Sequence, residues 1–262
     1  LDSYVNTAIR NYVREYDESN DFPREIWDNL ANDMNIFSPI LSEKNHTLSS
    51  DFITFIRKIA NEFAALSAIL LTQGCYGIYS ILNFGTAEQK ELYLEKLLKG
   101  NCIAGLGFCE YKHLNGLEDL ETYATKTEQG WYLSGKKAMI SNSSVADILL
   151  ILAKVKEQSK EETYGLFIVD PNDSDVLIGE QIEKSGLIGL PLSSVTLENV
   201  LLPKHALLGG ELLGDVQFAN IIKNMQLGLS AIALGIAEGA FKKGLEFAKV
   251  KREFGKRLID VE

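Results

Sequence analysis

The spacing of hydrophobic residues changes twice along this 262-residue chain. Over residues 1–100 they recur at three- and four-residue intervals, as they do in helices. From about residue 103 short apolar or alternating runs follow, which are typical of strands, and helical spacing returns at Gly214. This order predicts an α+β fold in three parts: an N-terminal helical domain (1–102), a middle antiparallel β-barrel or β-sandwich domain (103–208) and the beginning of a C-terminal helical bundle (209–262).

Local signals mark where individual helices begin and end. Thr86 is followed three residues later by Gln89, the spacing of a capping box in which each side chain bonds to the other residue's backbone N–H. That helix should stop at Lys99-Gly100, a basic residue before a glycine. Small residues recur along the last helix, which predicts that its backbone approaches neighbouring helices closely. These residues are Gly228, Ser230, Ala231, Gly235, Ala237, Gly239, Ala240 and Gly244.

Charge and composition exclude several classes of partner and site. The chain carries 26 basic and 36 acidic residues, a net charge of −10, so its field does not attract nucleic acid or an anionic membrane. Its three cysteines and three histidines are scattered, which predicts neither a disulfide framework nor a metal site and indicates a reducing compartment, the cytoplasm. The sequence also lacks the motifs of nicotinamide, P-loop, zinc-protease and serine-hydrolase sites.

The most apolar stretch covers residues 63–84 and is interrupted by Gln73 and Asn83. We therefore expect a buried helix pair there and no membrane span. The first residues have no signal-peptide pattern. The last residues lie inside a helical pattern, so we expect the chain to be a fragment of a longer protein.

Five segments occur in the order in which one enzyme family carries them. The first begins Gly-Thr-Ala-Glu-Gln and leads into the β domain, and the second is a strand and hairpin that ends in Ile-Ser-Asn. Together with three further segments, they make the chain resemble the acyl-CoA dehydrogenase family. The segments cover residues 85–100, 130–142, 145–147, 187–203 and 253–257.

The resemblance implies an FAD-dependent oxidoreductase that forms a homodimer or homotetramer. In this family the flavin lies between the β domain and the C-terminal helices. A glutamate removes the α-proton of an acyl thioester while the β-hydride moves to flavin N5, so that the cofactor carries the redox chemistry. The implied partner is an acyl thioester of coenzyme A or of an acyl carrier protein.

Five residues fall at flavin contacts of the family. Phe108 and Cys109 correspond to residues at the edge of the flavin ring, and Ser141 corresponds to the hydroxyl that hydrogen-bonds N5. Met139 falls where an aromatic side chain covers the ring, and its sulfur is a softer substitute. Phe254 corresponds to the phenylalanine that reaches the cofactor of a neighbouring subunit.

Other positions depart from the family pattern. Of the family's Thr-Glu-Pro-x-x-Gly-Ser-Asp stretch only Glu110 is kept. Asn115 and Gly116 replace the serine and the aspartate, and Asn115 can still donate a hydrogen bond to the flavin pyrophosphate. Lys251 replaces the arginine that approaches the adenine half of the cofactor, which keeps the charge but loses the planar fork; Arg252 is adjacent.

The resemblance assigns no catalytic residue within this chain. In most members the base lies beyond the position of residue 262, and in a minority it lies at the position of Met225, which cannot accept a proton. Glu238 and Glu246 are ordinary polar positions of a helix. Two alternatives therefore stay open: a non-catalytic binding or scaffold protein of the same family, and a flavin-dependent monooxygenase on the same fold.

Five of the assigned residues also have an ordinary structural interpretation. Ser141 can simply end a strand, Cys109 can be a small buried hydrophobe, and Met139 can belong to the core. Asn115 can belong to a turn, and Lys251 can lie on a solvated helix face.

Overall fold

The three-part order expected from the sequence is present in the computed structural model, which describes residues 4–19, 21–42, 47–111, 117, 119–156, 162–253 and 255–260. N-terminal helices pack against one face of a curled β-sheet, and a long helix that follows the sheet runs back along them. The predicted fold class is therefore confirmed. The domain boundaries at residues 102 and 208 remain predictions.

Within the described residues the order is helices, then strands, then a long helix, as the hydrophobic spacing indicated. The α-helices are α1 (Arg10–Ser19), α2 (Arg24–Asp28), α3 (Ser50–Ala60), α4 (Ala64–Thr72), α5 (Ser80–Phe84), α6 (Ala87–Leu98) and α7 (Gly214–Val250). The strands are β1 (Ala104–Gly107), β2 (Tyr123–Lys126), β3 (Gly130–Ser141), β4 (Ile148–Lys156), β5 (Thr163–Val169), β6 (Val176–Gln181), β7 (Leu192–Pro203), β8 (Arg252–Glu253) and β9 (Lys256–Arg257).

The first seven strands form one sheet in the order β1-β4-β2-β3-β7-β6, with β5 also paired to β4. Most neighbouring strands are antiparallel, as predicted. β1 and β2 differ, because both pair in parallel with β4, one along its first half and the other along its second half. Alternation of side chains carries no information on strand direction, so the sequence pattern could not reveal these parallel pairs.

β4 separates two hydrophobic cores. Leu150 and Leu152 belong to the core shared with the helices, whereas Leu149 and Ile151 belong to the core enclosed by the curled sheet. A strand that is buried on both faces has an uninterrupted apolar sequence. This explains why residues 148–153 include no polar side chain.

Residues 63–84 contain one helix and not the expected pair. α4, the π-helical turn Gln73–Tyr79 and α5 continue one another without a break. Gly74 lies inside this helix and packs against α3, where a Cβ would be 2.5 Å from the ring of Phe52. The stretch Ala64–Phe84 is long and apolar enough to cross a membrane, but 94% of its most apolar window is buried inside the protein.

The predicted capping box at the start of α6 is present. Thr86 Oγ1 accepts a hydrogen bond from Gln89 N at 3.2 Å, and Gln89 Oε1 accepts one from Thr86 N at 3.0 Å. Gln89 Nε2 also donates to the carbonyl oxygens of His205 and Leu207, and Gln89 Oε1 accepts from Gly209 N. α6 is thereby fixed to the segment that leads into α7.

α7 lies very close to the backbone of the N-terminal helices at two of the glycines noted in the sequence. A Cβ on Gly235 would be 2.3 Å from the carbonyl oxygen of Arg57, and one on Gly239 would be 2.1 Å from that of Asn61. Gly244 is different, because a Cβ there would meet nothing within 4 Å. The expected close approach therefore holds for the middle of α7 but not for its last turns.

Candidate functional site

A β-bulge in β3 determines where the side chains near its end point. Between Lys137 and Ile140 β3 has one more residue than the facing part of β7. Strict alternation would place Lys137, Met139 and Ser141 on one face of the sheet. Because of the extra residue, Lys137 is fully buried while Met139 points outward. Bulges often redirect side chains in this way beside functional sites.

Met139 and Ser141 share the outward face at the end of β3. Met139 is 39% exposed and Ser141 is half-buried. Within the part of the chain that the structure describes, the Ser141 hydroxyl has no hydrogen-bond partner. An apolar surface with an available hydroxyl suits a ligand whose body is apolar and whose edge is polar.

Asn142 holds the end of β3 in place. Its backbone is left-handed, with φ of 63°, a conformation that asparagine tolerates better than most residues. Its N–H donates to the carbonyl oxygen of Pro191 at 2.8 Å. Its side-chain amide lies 3.4 Å from the carbonyl oxygens of Ile69 and Ala104. Asn142 therefore ties the position of Ser141 to α4 as well as to the sheet.

Two glycines let β1 approach the bulged end of β3. A Cβ on Gly105 would lie 2.7 Å from the carbonyl oxygen of Ser141, and one on Gly107 would lie 2.7 Å from the side chain of Ile140. Any larger residue at Gly105 would displace the backbone of Ser141. This close approach brings the end of β1, and the loop that follows it, beside the bulged end of β3.

The loop after β1 carries Phe108 and Cys109. The backbone N–H of Ala138 donates to the carbonyl oxygen of Cys109 at 2.8 Å, so Cys109 lies beside the residue before Met139. Burial raises the pKa of the Cys109 thiol, against the opposing charge of a nearby lysine, so the thiol is protonated at neutral pH. The ring of Phe108 contacts that of Phe218 on α7, with centroids 5.0 Å apart.

The structure thus places four of the predicted contact residues in one region, where the sheet meets the beginning of α7. They are Phe108, Cys109, Met139 and Ser141.

Glu110 and Lys137 form a buried ion pair in this region that the sequence analysis missed. Lys137 Nζ and Glu110 Oε1 are 2.7 Å apart, and the side chains are 0% and 3% exposed. Burial lowers the pKa of Lys137 to about 8, although the charge and hydrogen bond of Glu110 oppose this. Burial by itself would raise the pKa of Glu110, but Lys137 and Thr122 hold it below its ordinary value. Both groups are therefore charged at neutral pH.

Lys251 lies far from these residues. It follows the last residue of α7, and its backbone N–H donates to the carbonyl oxygen of Phe247. Phe218 is near the other end of this helix. At 1.5 Å per residue, Phe218 and Lys251 are about 50 Å apart along the helix axis. Within one chain, Lys251 does not share a site with Ser141.

Two predicted contact residues, Asn115 and Phe254, lie outside the described residues, as does Gly116. Of the helix residues weighed as a base, Met225 is buried against the helical core. Glu238 Oε2 accepts a hydrogen bond from Asn61 and pairs with an arginine of α3. It is thus engaged at the contact between α3 and α7, away from Met139.

A cavity of about 320 Å³ lies elsewhere, between the α3–α4 connection and the second half of α7. Its buried carboxylate, Glu62, is already paired with Lys243 at 3.3 Å and Arg10 at 3.8 Å. None of the predicted contact residues lines this cavity. Among the described residues no group of histidine, cysteine, aspartate and glutamate side chains is arranged to hold a metal ion.

Two family models match successive parts of the chain. The acyl-CoA dehydrogenase N-terminal domain matches residues 1–101, and the acyl-CoA dehydrogenase middle domain matches residues 105–200. The order of the two matches is the order of the helical and β parts described above.

Curated relatives and solved structures agree with these matches. The chain is 28% identical over 255 residues to a caffeyl-CoA reductase–Etf complex subunit of Acetobacterium woodii, covering 95% of this chain and 66% of that protein. It is 31% identical over 210 residues to an acyl-CoA dehydrogenase of Bacillus subtilis, covering 79% and 55%. The fold is similar to that of butyryl-CoA dehydrogenase from Megasphaera elsdenii, with a TM-score of 0.89 and 24% identity over 98% of this chain and 69% of that one. The chain therefore spans 55–66% of the length of these two curated relatives.

Proposed function

Because the chain belongs to the acyl-CoA dehydrogenase family, we propose that the protein is an FAD-dependent oxidoreductase acting on an acyl thioester. The proposed reaction removes hydrogen from the α and β carbons of the acyl group, which is carried on coenzyme A or on an acyl carrier protein. We place the protein in the cytoplasm as part of this proposal, since its scattered cysteines suit a reducing compartment.

The observation that carries the proposal is the outward face at the end of β3. There the Ser141 hydroxyl has no partner among the described residues and lies on the same face as the exposed side chain of Met139. A flavin ring is a flat apolar body with hydrogen-bonding groups along its edge, so this combination of groups fits it. The residues present are therefore suited to hold FAD.

Each residue of the region has a distinct proposed role. The Ser141 hydroxyl donates a hydrogen bond to the edge of the ring, and the Met139 thioether packs on its face. Phe108 and Cys109 line the ring edge from the neighbouring loop. Bound FAD supplies the two-electron redox chemistry, by accepting a hydride from the acyl β carbon. The residues of this chain hold and orient it and keep water away from its face.

The far end of α7 suggests an oligomer. Lys251 is about 50 Å along the helix from Phe218, so it is too distant to contact a flavin held at Ser141 of the same chain. We propose that Lys251 and Phe254 contact the cofactor of a second copy in a homodimer or homotetramer. Asn115 is proposed to donate to the pyrophosphate within its own chain.

Removal of the α-proton requires a base that the described residues of this region do not provide. Met225 cannot accept a proton, and the carboxylate of Glu110 is committed to Lys137. We therefore assign the role of catalytic base to no residue of this chain.

A second candidate is the same chemistry in reverse, the reduction of an α,β-unsaturated acyl thioester. It is favoured by the similarity to the caffeyl-CoA reductase–Etf complex subunit. In this direction an electron-transferring flavoprotein would serve as the electron donor, and in the dehydrogenation direction as the acceptor.

The test is a titration of the purified protein with FAD, followed by anaerobic addition of short- and long-chain acyl-CoA thioesters. Stoichiometric binding and bleaching of the flavin absorbance by a saturated thioester would support dehydrogenation. Reoxidation of the dithionite-reduced protein by an unsaturated thioester, without bleaching by saturated ones, would support the reductase. A protein that binds no FAD would be a scaffold, and rapid oxygen consumption by the reduced flavin would indicate a monooxygenase.

A further inference from the structure

Glu110 is almost fully buried, and both oxygens of its carboxylate accept hydrogen bonds. Its Oε1 accepts hydrogen bonds from Lys137 Nζ at 2.7 Å, from Thr122 Oγ1 at 2.5 Å and from Thr122 N at 3.0 Å. Its Oε2 accepts from Glu121 N at 2.7 Å. The side chain thus connects the loop after β1 to the residues before β2 and to β3.

This connection lies directly beside the proposed flavin contacts. Glu110 is bonded to Lys137, and the preceding residue, Cys109, accepts a backbone hydrogen bond from Ala138. Two consecutive residues of the loop are therefore fastened to two consecutive residues of β3. Lys137 is also where the extra residue of β3 begins, immediately before the strand turns Met139 outward.

A buried ion pair is a poor device for stability alone. Taking two charges out of water costs about as much as their attraction returns, and replacing such a pair with apolar residues is often neutral or stabilising. The pair instead determines the position of the loop relative to the strand, since its hydrogen bonds are satisfied in one arrangement of the two only. At a bulge, where the ladder of backbone hydrogen bonds is interrupted, an additional constraint of this kind fixes the register.

We propose that Glu110 and Lys137 are positioning residues, which hold the Phe108–Cys109 loop beside Lys137 and Ala138 of β3. In this position the loop, Met139 and Ser141 can contact the same flavin ring. The proposal rests on the proposed function, because it assigns FAD to this surface. Neither side chain touches the flavin; both act through the backbone of Cys109 and Ala138.

Four variants test the proposal. Glu110→Gln and Lys137→Met each leave one buried partner without its counter-charge, and the double variant removes both charges. The matched control is the doubly substituted Glu95→Gln, Lys99→Met, which removes a pair of similar length, 2.6 Å, on the exposed surface of α6. For each protein the measurements are the urea midpoint without FAD, the Kd for FAD from flavin fluorescence, and the visible circular dichroism of bound FAD at saturation.

We expect both single variants to lower the urea midpoint and to weaken FAD binding by about tenfold or more, as loss of groups that support a site commonly does. The double variant should recover much of the midpoint, because no uncompensated charge remains, but not the affinity or the dichroism. The surface control should match the wild type in all three measurements.

Recovery of both stability and FAD affinity in the double variant would overturn the proposal, since the pair would then be a structural element only. Unchanged affinity and dichroism in the single variants would overturn it as well. If the wild type itself binds no FAD, the proposed function is wrong and this inference is lost with it. Binding by the wild type, with equal binding by all variants, refutes the inference alone.

Discussion

Replacement of Gly239 by alanine tests how closely α7 must approach the N-terminal helices. The added Cβ would lie 2.1 Å from the carbonyl oxygen of Asn61 and 2.9 Å from its carbonyl carbon. Both distances are far inside van der Waals contact, and a backbone carbonyl cannot rotate away as a flexible side chain can. Either α7 or the connection between α3 and α4 must therefore move.

The expected cost follows from two opposing terms. Overpacking of a close contact costs about 1–3 kcal/mol, whereas alanine favours a helix over glycine by about 1 kcal/mol. Gly244→Ala is the matched control in the same helix, because a Cβ there meets nothing within 4 Å and only the second term applies. The free energy of unfolding should therefore be about 1–3 kcal/mol lower for Gly239→Ala than for Gly244→Ala, since helix propensity cancels between them.

Urea denaturation followed by far-ultraviolet circular dichroism measures both values under one set of conditions. We expect Gly244→Ala to raise the midpoint and Gly239→Ala to have a clearly lower midpoint than Gly244→Ala, with equal slopes in urea. Equal shifts of the same sign would refute the reasoning. They would mean that the approach of α7 to Asn61 carries no energetic constraint and that the glycine is replaceable.

Three further predictions concern the site and its supports. Gly105→Ala should weaken FAD binding, measured by fluorescence titration, because its Cβ would be 2.7 Å from the carbonyl oxygen of Ser141 and would displace it; wild-type affinity would contradict this. Gln89→Ala should lower the free energy of unfolding in urea by about 1–3 kcal/mol, since it leaves buried carbonyl groups without a donor, whereas Thr86→Ala removes only a cap and should cost about 1 kcal/mol. The pKa of Glu110 is lowered in the folded protein, so its contribution to stability is present above its unfolded pKa of about 4.3 and is lost as the pH falls through the folded value. Unfolding measured against pH should accordingly show a steeper acid loss for the wild type than for Glu110→Gln, and parallel curves would contradict the assignment.

The sequence was sufficient to predict the three parts of the fold but not which elements are neighbours. Hydrophobic spacing reports which face of a helix or strand is buried, and so it identified the helical, β and helical parts. It does not report which elements are adjacent. The parallel pairing of β1 and β2 with β4 depends on connections between distant segments, and no local pattern specifies it.

The same limit explains the mixed outcome for the small residues of α7. Gly239 and Gly244 look equivalent in the sequence, since both interrupt the same helical pattern. Only the position of Asn61 at the end of α3 distinguishes them, and that position results from tertiary packing. A glycine in a helix therefore predicts a close contact without saying which glycine makes it.

Lys137 shows how a bulge hides a buried ion pair from the sequence pattern. Strict alternation along β3 would group this lysine with Met139 and Ser141, on a face open to solvent. The extra residue between Lys137 and Ile140 breaks that grouping and turns the lysine into the interior. One signal in the sequence was available. Leu133, Gly135 and Lys137 are two residues apart, so they lie on the same inward face of β3 up to the bulge.

The geometry of the site explains how residues that differ from the family pattern, such as Met139, can still occupy the expected positions. Cys109 is held at the site through its carbonyl oxygen, a group that every residue possesses. Met139 is directed outward by the bulge, and Ser141 is placed by the approach of Gly105 and by the anchoring of Asn142.

The surface is thus defined largely by backbone positions, so we expect side-chain replacement at Met139 or Cys109 to leave it in place. Substitutions that move the backbone should be the damaging ones, above all at Gly105 and at the Glu110–Lys137 pair. We therefore expect Met139→Leu to retain FAD affinity within a few-fold of wild type, a change of less than about 1.4 kcal/mol, while Gly105→Ala loses it. A larger loss in Met139→Leu than in Gly105→Ala would show that side chains, and not the backbone, define this site.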